Sequence, residues 1–268
     1  MSQSQSPEQR PPTDARVPRP ARILTDGVDA VIFDMDGVMT DTAVVHADAW
    51  KRLFDEYLEE RHRRTGESWK PFDAGEDYRR FVDGKPRYDG VESFLRSRDI
   101  SLPWGDPSDP PDRETVCGLG NRKDGYFLQS LRQGGARSFP SSVALVEALA
   151  AAGVRTAIVS ASRNMTEVLD AAGVADLFAV QVNGVDADRL GLSGKPDPAI
   201  FLEAARRLDV RPDRAAVVED ALAGVEAGRR GHFRLVVGVD RLDHAEALRA
   251  AGADVVVRDL GDLLQDET

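Results

Sequence analysis

The chain of 268 residues has a single cysteine, Cys117. One thiol excludes any intrachain disulfide framework and any cysteine-rich zinc site, and it suits a reducing compartment. Basic residues are also in short supply: 35 Lys and Arg stand against 46 Asp and Glu, a formal net charge of −11. That balance argues against the broad basic surface that nucleic acid or anionic lipid requires, so any anion-binding groups must be local. Long apolar runs are missing as well. No stretch approaches the ~18–20 residues of a membrane span, and the start, MSQSQSPEQRPPTDARVPRPAR, has no apolar signal-like core. These absences predict a soluble, unexported, cytoplasmic protein with neither nucleic acid nor membrane as a partner; a monomer is expected, though no sequence feature sets the oligomeric state.

What is present is an alternation. Residues 1–22, rich in Ser, Gln, Pro and Arg, cannot bury enough apolar area to offset their ordering entropy and are expected to form a disordered tail. A strand is predicted over 28–34 (VDAVIFD), followed by a helix in which Val45, Ala49, Leu53 and Tyr57 recur at helical spacing, with Trp50, Phe54 and Leu58 alongside. Between about 42 and 135 no convincing strand occurs, and SLPWGDPSDPPDRE reads as a surface loop. From about 141 helices and short β-rich runs alternate: VRTAIVS, FAVQV, AAVVE, FRLVVGV and a final ADVVV are the strands. The expected fold class is α/β, a doubly wound parallel sheet with an inserted α-helical unit. In chain positions this is a core of 23–41 plus 136–268 and a helical insert of 42–135. The remainder beyond about 240 is taken to complete the sheet edge.

In such sheets ligands sit at the carboxyl ends of the strands, and polar residues collect there. The first strand ends on Asp34, with Asp36 and Gly37 following; the second ends on Ser160; a later one ends on Glu219 and Asp220. A carboxylate at a buried strand tip must be paired, hydrogen-bonded or metal-bound. Asp34 and Asp36 together with Glu219 and Asp220 make an oxygen-rich site suited to Mg2+, which favours carboxylates, water and substrate phosphate. With anionic repulsion screened, one aspartate can attack phosphorus and form an aspartyl phosphate, and the second, two residues on, is placed to act as general acid and base. The Ser160 hydroxyl can hold a phosphoryl oxygen, and the Lys195 ammonium, in SGKPDPAIF, can neutralise charge there.

DMDGVMTD, VSAS, SGKPDP and VVEDALAGVEAG reproduce, in order and spacing, the four motifs of the haloacid dehalogenase superfamily, which the chain resembles from about 23 to 240. The resemblance implies a Rossmann-like core with Asp34 as nucleophile, Asp36 as acid/base, Ser160 and Lys195 on the phosphoryl group, and Glu219 and Asp220 completing the Mg2+ site. The second aspartate separates the chain from true dehalogenases, which do not need it. The helical insert resembles the cap that closes over the site in one large branch.

Within that branch the finer likeness is to the β-phosphoglucomutases, carried by DGVMTDTAVVHADAW, the Gly-x-x-Arg of DGKPRYDG, GNRKDGY and SASRN. It implies substrate contacts from Thr42, His46, Arg87, Lys123 (or Arg122 beside it), Ala161, Ser162 and Asn164, with Arg87, Ser162 and Asn164 on the phosphate that is not being transferred. Asn164 could equally cap the following helix. One departure is visible: Asp83 stands where the family often has a lysine, and Lys85 falls two places later. The expected substrate is a small-molecule sugar phosphate. Mutase action through a bisphosphate is the first reading and hydrolysis of a phosphate monoester the runner-up, since fold and motifs are shared by both. A binding protein on a retired scaffold is disfavoured because no motif position has lost its chemical group.

Overall fold

In the computed structural model, which describes residues 19–83 and 85–265, β1 (Arg19–Pro20) leads into β2 (Ala30–Asp34). Three helices follow: α1 (Ala43–Thr65), α2 (Arg87–Arg96) and α3 (Val116–Gly134), with a π-helical turn at Tyr78–Val82 between the first two. The alternation then resumes with α4 (Pro140–Ala151), β3 (Arg155–Val159), α5 (Met165–Ala172), β4 (Val180–Val182), α6 (Gly184–Leu190) and α7 (Ala199–Arg207). It closes with β5 (Ala215–Glu219), α8 (Leu222–Arg230), β6 (Leu235–Val239), α9 (Ala245–Ala251), β7 (Val255–Val257) and β8 (Leu264–Gln265).

Six strands form one parallel sheet in the order β4-β3-β2-β5-β6-β7. The chain runs outward from β2 to β4 and then returns to place β5 on the other side of β2. This reversal opens a crevice beside the carboxyl end of β2, the place where such sheets bind ligands. Every residue of β2, β5 and β6 is buried, because helices cover both faces and leave the strands no solvated side. The two-residue period of the strand sorts their side chains. Val31, Phe33, Ile158 and Val218 pack toward α4 and α5, whereas Ile32, Ala157, Val159 and Val217 pack toward Ile200, Phe201 and Ala204 of α7.

The segment between β2 and β3 contains no strand among the described residues and has an apolar cluster of its own. Trp50, Leu53, Phe54, Tyr57 and Leu58 of α1 form one stripe at helical spacing. Phe54 lies 4.0 Å, ring centre to ring centre, from Phe94 of α2 and 5.2 Å from Phe72. Thr115 starts α3 by accepting the Gly118 N–H at 3.0 Å, a side-chain cap.

Two features depart from the sequence reading. Regular structure is present before residue 23: Arg19–Pro20 pair antiparallel with Leu264–Gln265, and Leu24 is fully buried. Composition hid this because the partner strand lies at the far end of the sequence; the rest of the expected tail, residues 1–18, falls outside the described residues. The helix α6 was not anticipated either. It has 7 residues, too few for a periodic pattern, and begins because Asn183 accepts the Asp186 N–H at 3.0 Å. Beyond 240, β7 does form the sheet edge. No helix among the described residues is long and apolar enough to cross a membrane.

Candidate active site

The strand tips converge in the crevice. β2 carries Asp34 to its end, and the chain then turns sharply, with the Met39 and Thr40 N–H groups both donating to the Met35 carbonyl at 2.9 Å. Gly37, at φ +77°, makes the turn possible; a Cβ there would stand 1.8 Å from Asp220 Oδ2. Gly37→Ala is therefore expected to push Asp220 aside and to lower turnover by about 10²-fold, while the backbone strain costs only about 1–2 kcal/mol of stability. Steady-state kinetics beside urea unfolding checks the pair of effects.

Lys195, from the loop before α7, donates to both Asp34 Oδ1 and Glu219 Oε1. The other Glu219 oxygen accepts the Ala221 N–H at 2.7 Å. Gly224 admits this carboxylate, since a Cβ at that position would lie 1.8 Å from Glu219 Oε1. Burial pushes the Asp34 carboxyl up to about 8 against the pull of Lys195, with Glu219 and Asp36 adding to the rise. Asp220 is raised well above the usual range, first by burial and then by Glu219, Asp34 and Asp83. Burial works to lower Lys195, but Asp34 and Glu219 outweigh it and raise it, so the ammonium stays charged.

Carboxylate oxygens of Asp34, Glu219 and Asp220 all lie within 4.8 Å of one another. Negative charge exceeds what one lysine neutralises, and the donors are hard oxygens, so the set fits a divalent cation of the Mg2+ type. Asp36, the fourth expected ligand, is placed differently. The Asp36 carboxylate stays outside this group because other partners claim it: it accepts the Thr42 hydroxyl, lies 3.5 Å from Ser160 Oγ and stands 3.7 Å from His46 Nε2. Its carboxyl is raised by burial, with the Thr42 hydrogen bond opposing.

Thr42, expected to touch substrate, is fully buried and lies outside the cavity lining; its hydroxyl braces Asp36 instead. The other expected residues do meet. A cavity of about 250 Å³ is lined by Asp34, Asp36, Ser160, Lys195, Glu219 and Asp220 at its base, and by His46, Arg87, Lys123, Ala161, Ser162 and Asn164 around it. Lys123 of α3, rather than Arg122, reaches this space; Arg122 donates outward to the Pro111 carbonyl at 2.8 Å. Lys123 Nζ is 2.7 Å from His46 Nδ1 and faces the rings of Trp50 and Phe127. Burial pulls Lys123 down to about 7 against Asp124 and Asp36, and burial together with Lys123 holds His46 well below its ordinary value. His46 thus stands between Lys123 and Asp36, stacked 4.2 Å from the Phe127 ring centre.

A serine relay orders the SASRN turn: the Ser162 N–H donates to Ser160 Oγ at 3.0 Å and the Asn164 N–H to Ser162 Oγ at 3.1 Å. The Asn164 amide makes no side-chain cap of α5; it donates instead to Asp124 Oδ1 at 2.6 Å. Arg87 Nη1 meets the other Asp124 oxygen at 2.7 Å. Among the lining residues that sequence reasoning missed are Arg163, Tyr78 and Asp124. Arg163 was legible as the one cation inside SASRN. Tyr78 had no signal, because a π-helical turn places it.

The pattern for haloacid dehalogenase-like hydrolases matches residues 28–232. The chain is 51% identical over 244 residues to the β-phosphoglucomutase of Mycobacterium bovis, covering 90% of this chain and 93% of that protein. It is 27% identical over 238 residues to the phosphorylated carbohydrates phosphatase of Thermotoga maritima, covering 86% of this chain and 94% of that one. The crystal structure of β-phosphoglucomutase from Clostridium difficile superposes with a TM-score of 0.71 at 24% identity, over 88% of this chain and 93% of that chain, a likeness of fold. Strand tips, cavity and relatives agree: the chain belongs to the haloacid dehalogenase-like hydrolases, as a phosphotransferase/hydrolase of their β-phosphoglucomutase-like branch.

Proposed function

We propose that the protein is a Mg2+-dependent β-phosphoglucomutase, converting β-D-glucose 1-phosphate to glucose 6-phosphate through a bisphosphate and a phosphorylated Asp34. The observation that carries this reading is the pairing of two polar centres in one cavity: a carboxylate and lysine centre at Asp34, and a second set of phosphate-type donors at Arg87, Ser162 and Asn164. A bisphosphate needs both. Residues 23–41 and 136–268 form the catalytic core in this reading, and 42–135 the cap that supplies Arg87 and Lys123.

An Asp34 oxygen attacks phosphorus while the bond from phosphorus to the sugar oxygen breaks, and that oxygen takes the proton of Asp36. In the second half a sugar hydroxyl gives its proton to Asp36 and attacks phosphorus, and the bond to Asp34 breaks. The raised pKa of Asp36 suits it to carrying this proton, and Thr42 and Ser160 keep its carboxyl group oriented. Lys195 and the Ser160 hydroxyl hold the phosphoryl oxygens. Asp34, Glu219 and Asp220 would hold Mg2+, which would supply the positive charge that lets carboxylate and phosphate approach.

The runner-up is a phosphatase, in which water takes the place of the sugar hydroxyl; the Thermotoga maritima relative favours it. Arg87→Ala separates the two. A charge-assisted contact to phosphate is worth about 1.5–3 kcal/mol, so mutase kcat/KM should fall about ten- to a hundredfold while acetyl phosphate hydrolysis, which needs only the Asp34 centre, changes far less. Equal loss of both activities would reject the second phosphate site. Rapid phosphate release from glucose 6-phosphate by wild-type protein, without isomerisation of glucose 1-phosphate, would install the phosphatase.

A further inference from the structure

Asp124 is the unexplained residue of the cavity. It projects from α3 immediately after Lys123, and its two oxygens are divided between two elements: one meets Arg87 Nη1, on the first residue of α2, at 2.7 Å, and the other accepts Asn164 Nδ2, from the turn before α5, at 2.6 Å. Arg87 and Asp124 are both mostly buried, with side-chain exposures of 19% and 23%. Lys123, the neighbouring cation, feels the charge of this carboxylate but makes its hydrogen bond elsewhere, with His46. Arg163 is paired with Asp188 at 2.6 Å.

A carboxylate and a phosphate present the same feature to an arginine and an amide, namely a pair of anionic acceptor oxygens at hydrogen-bond spacing. Arg87 and Asn164 are two of the three groups assigned above to the phosphate that is not transferred. We propose that Asp124 is an internal competitor for that phosphate: a carboxylate that already satisfies Arg87 and Asn164, and that a substrate must displace to bind. The proposal rests on the second-phosphate reading. It makes Asp124 a specificity-determining residue, because the affinity of the subsite is the difference between two anions. A phosphate dianion outbids the carboxylate, whereas a neutral hydroxyl or a weakly charged group does not. The same displacement unties α3 from the turn before α5, so binding at this subsite and the fastening of helix to sheet are coupled through one side chain.

The competing view is that Asp124 merely orients Arg87, and the two views predict opposite signs. Calorimetric titration of glucose 1,6-bisphosphate into the Mg2+-loaded protein reads the sign, with Asp34→Asn as the background so that the ligand stays intact and each molecule fills both centres. Adding Asp124→Asn, which keeps the shape and removes the charge, is expected to tighten the Kd about tenfold, the size of one charge-assisted contact. Asp124→Ala serves in its place if circular dichroism shows the asparagine variant unfolded. An unchanged or weaker Kd overturns the proposal and makes Asp124 a positioning residue for Arg87. Arg87→Ala in the same background tests the reading beneath. If it weakens binding while Asp124→Asn fails to tighten it, only the competitor proposal falls; if it leaves the Kd unchanged, the second phosphate site falls and the competitor with it.

Discussion

Asp34→Asn is expected to yield a folded protein whose turnover is lower by on the order of 10⁴-fold or more, the scale seen when a catalytic nucleophile is removed. The change is nearly isosteric, and an amide cannot form the phosphoenzyme. Stability should not suffer. Asp34 is buried at the end of a strand with Glu219 and Asp36 close enough to raise its pKa, so a neutral group removes repulsion, while Lys195 keeps its bond to Glu219. Thermal unfolding in chelator should therefore give a Tm at or above that of the wild-type protein, measured beside the mutase assay. Retention of a tenth of the activity would reject Asp34 as the nucleophile. A large fall in Tm would mean that the Lys195 contact outweighs the relief of repulsion.

Chelation of divalent cations should abolish turnover, and Asp220→Ala should either do the same or raise the Mg2+ requirement by about a hundredfold, the size expected when one charged ligand of roughly 2–3 kcal/mol is lost. The reason is the charge inventory of the cavity base. Asp34, Glu219 and Asp220 bring three carboxylates together against one lysine, and a phosphate adds further negative charge. Without a cation the anions repel at short range in a setting where burial weakens solvent screening. A Mg2+ titration of kcat, with elemental analysis of the purified protein, decides the matter. Full activity in excess chelator with no retained metal would remove the cation from the site.

Residues 28–34 and the later β-rich runs were legible as a parallel sheet because burial on both faces selects continuous apolar strands, a local property of the chain. The four motifs were legible for a related reason. Three of them sit at a strand end or just beyond it, and strand ends on one edge of a parallel sheet must come together, so Asp34, Ser160 and Glu219 group from the sequence alone, whereas Lys195 reaches them from the loop between α6 and α7. Short or non-local elements were not legible: the pairing of Arg19–Pro20 with Leu264–Gln265 joins segments separated by nearly the whole chain, and α6 is shorter than its own signal.

Side-chain direction was the other blind spot. Asp36 and Thr42 were both named from their motif, yet Thr42 turns inward to hold Asp36, and the Asp36 carboxylate faces His46 and Ser160 rather than the acidic cluster. Asp124 carried no signal, since a charged residue on a helix is by default a solvated one; only the packing of α3 beside α2 and the turn before α5 sets it between Arg87 and Asn164. The sequence by itself determined the fold class, the catalytic edge of the sheet and the chemical groups gathered there, because these follow from hydrophobic period and from residue type at strand ends. Tertiary structure alone decided which oxygen faces which cation, because hydrogen bonds and ion pairs act over about 3 Å and depend on how separately folded helices are brought against the sheet.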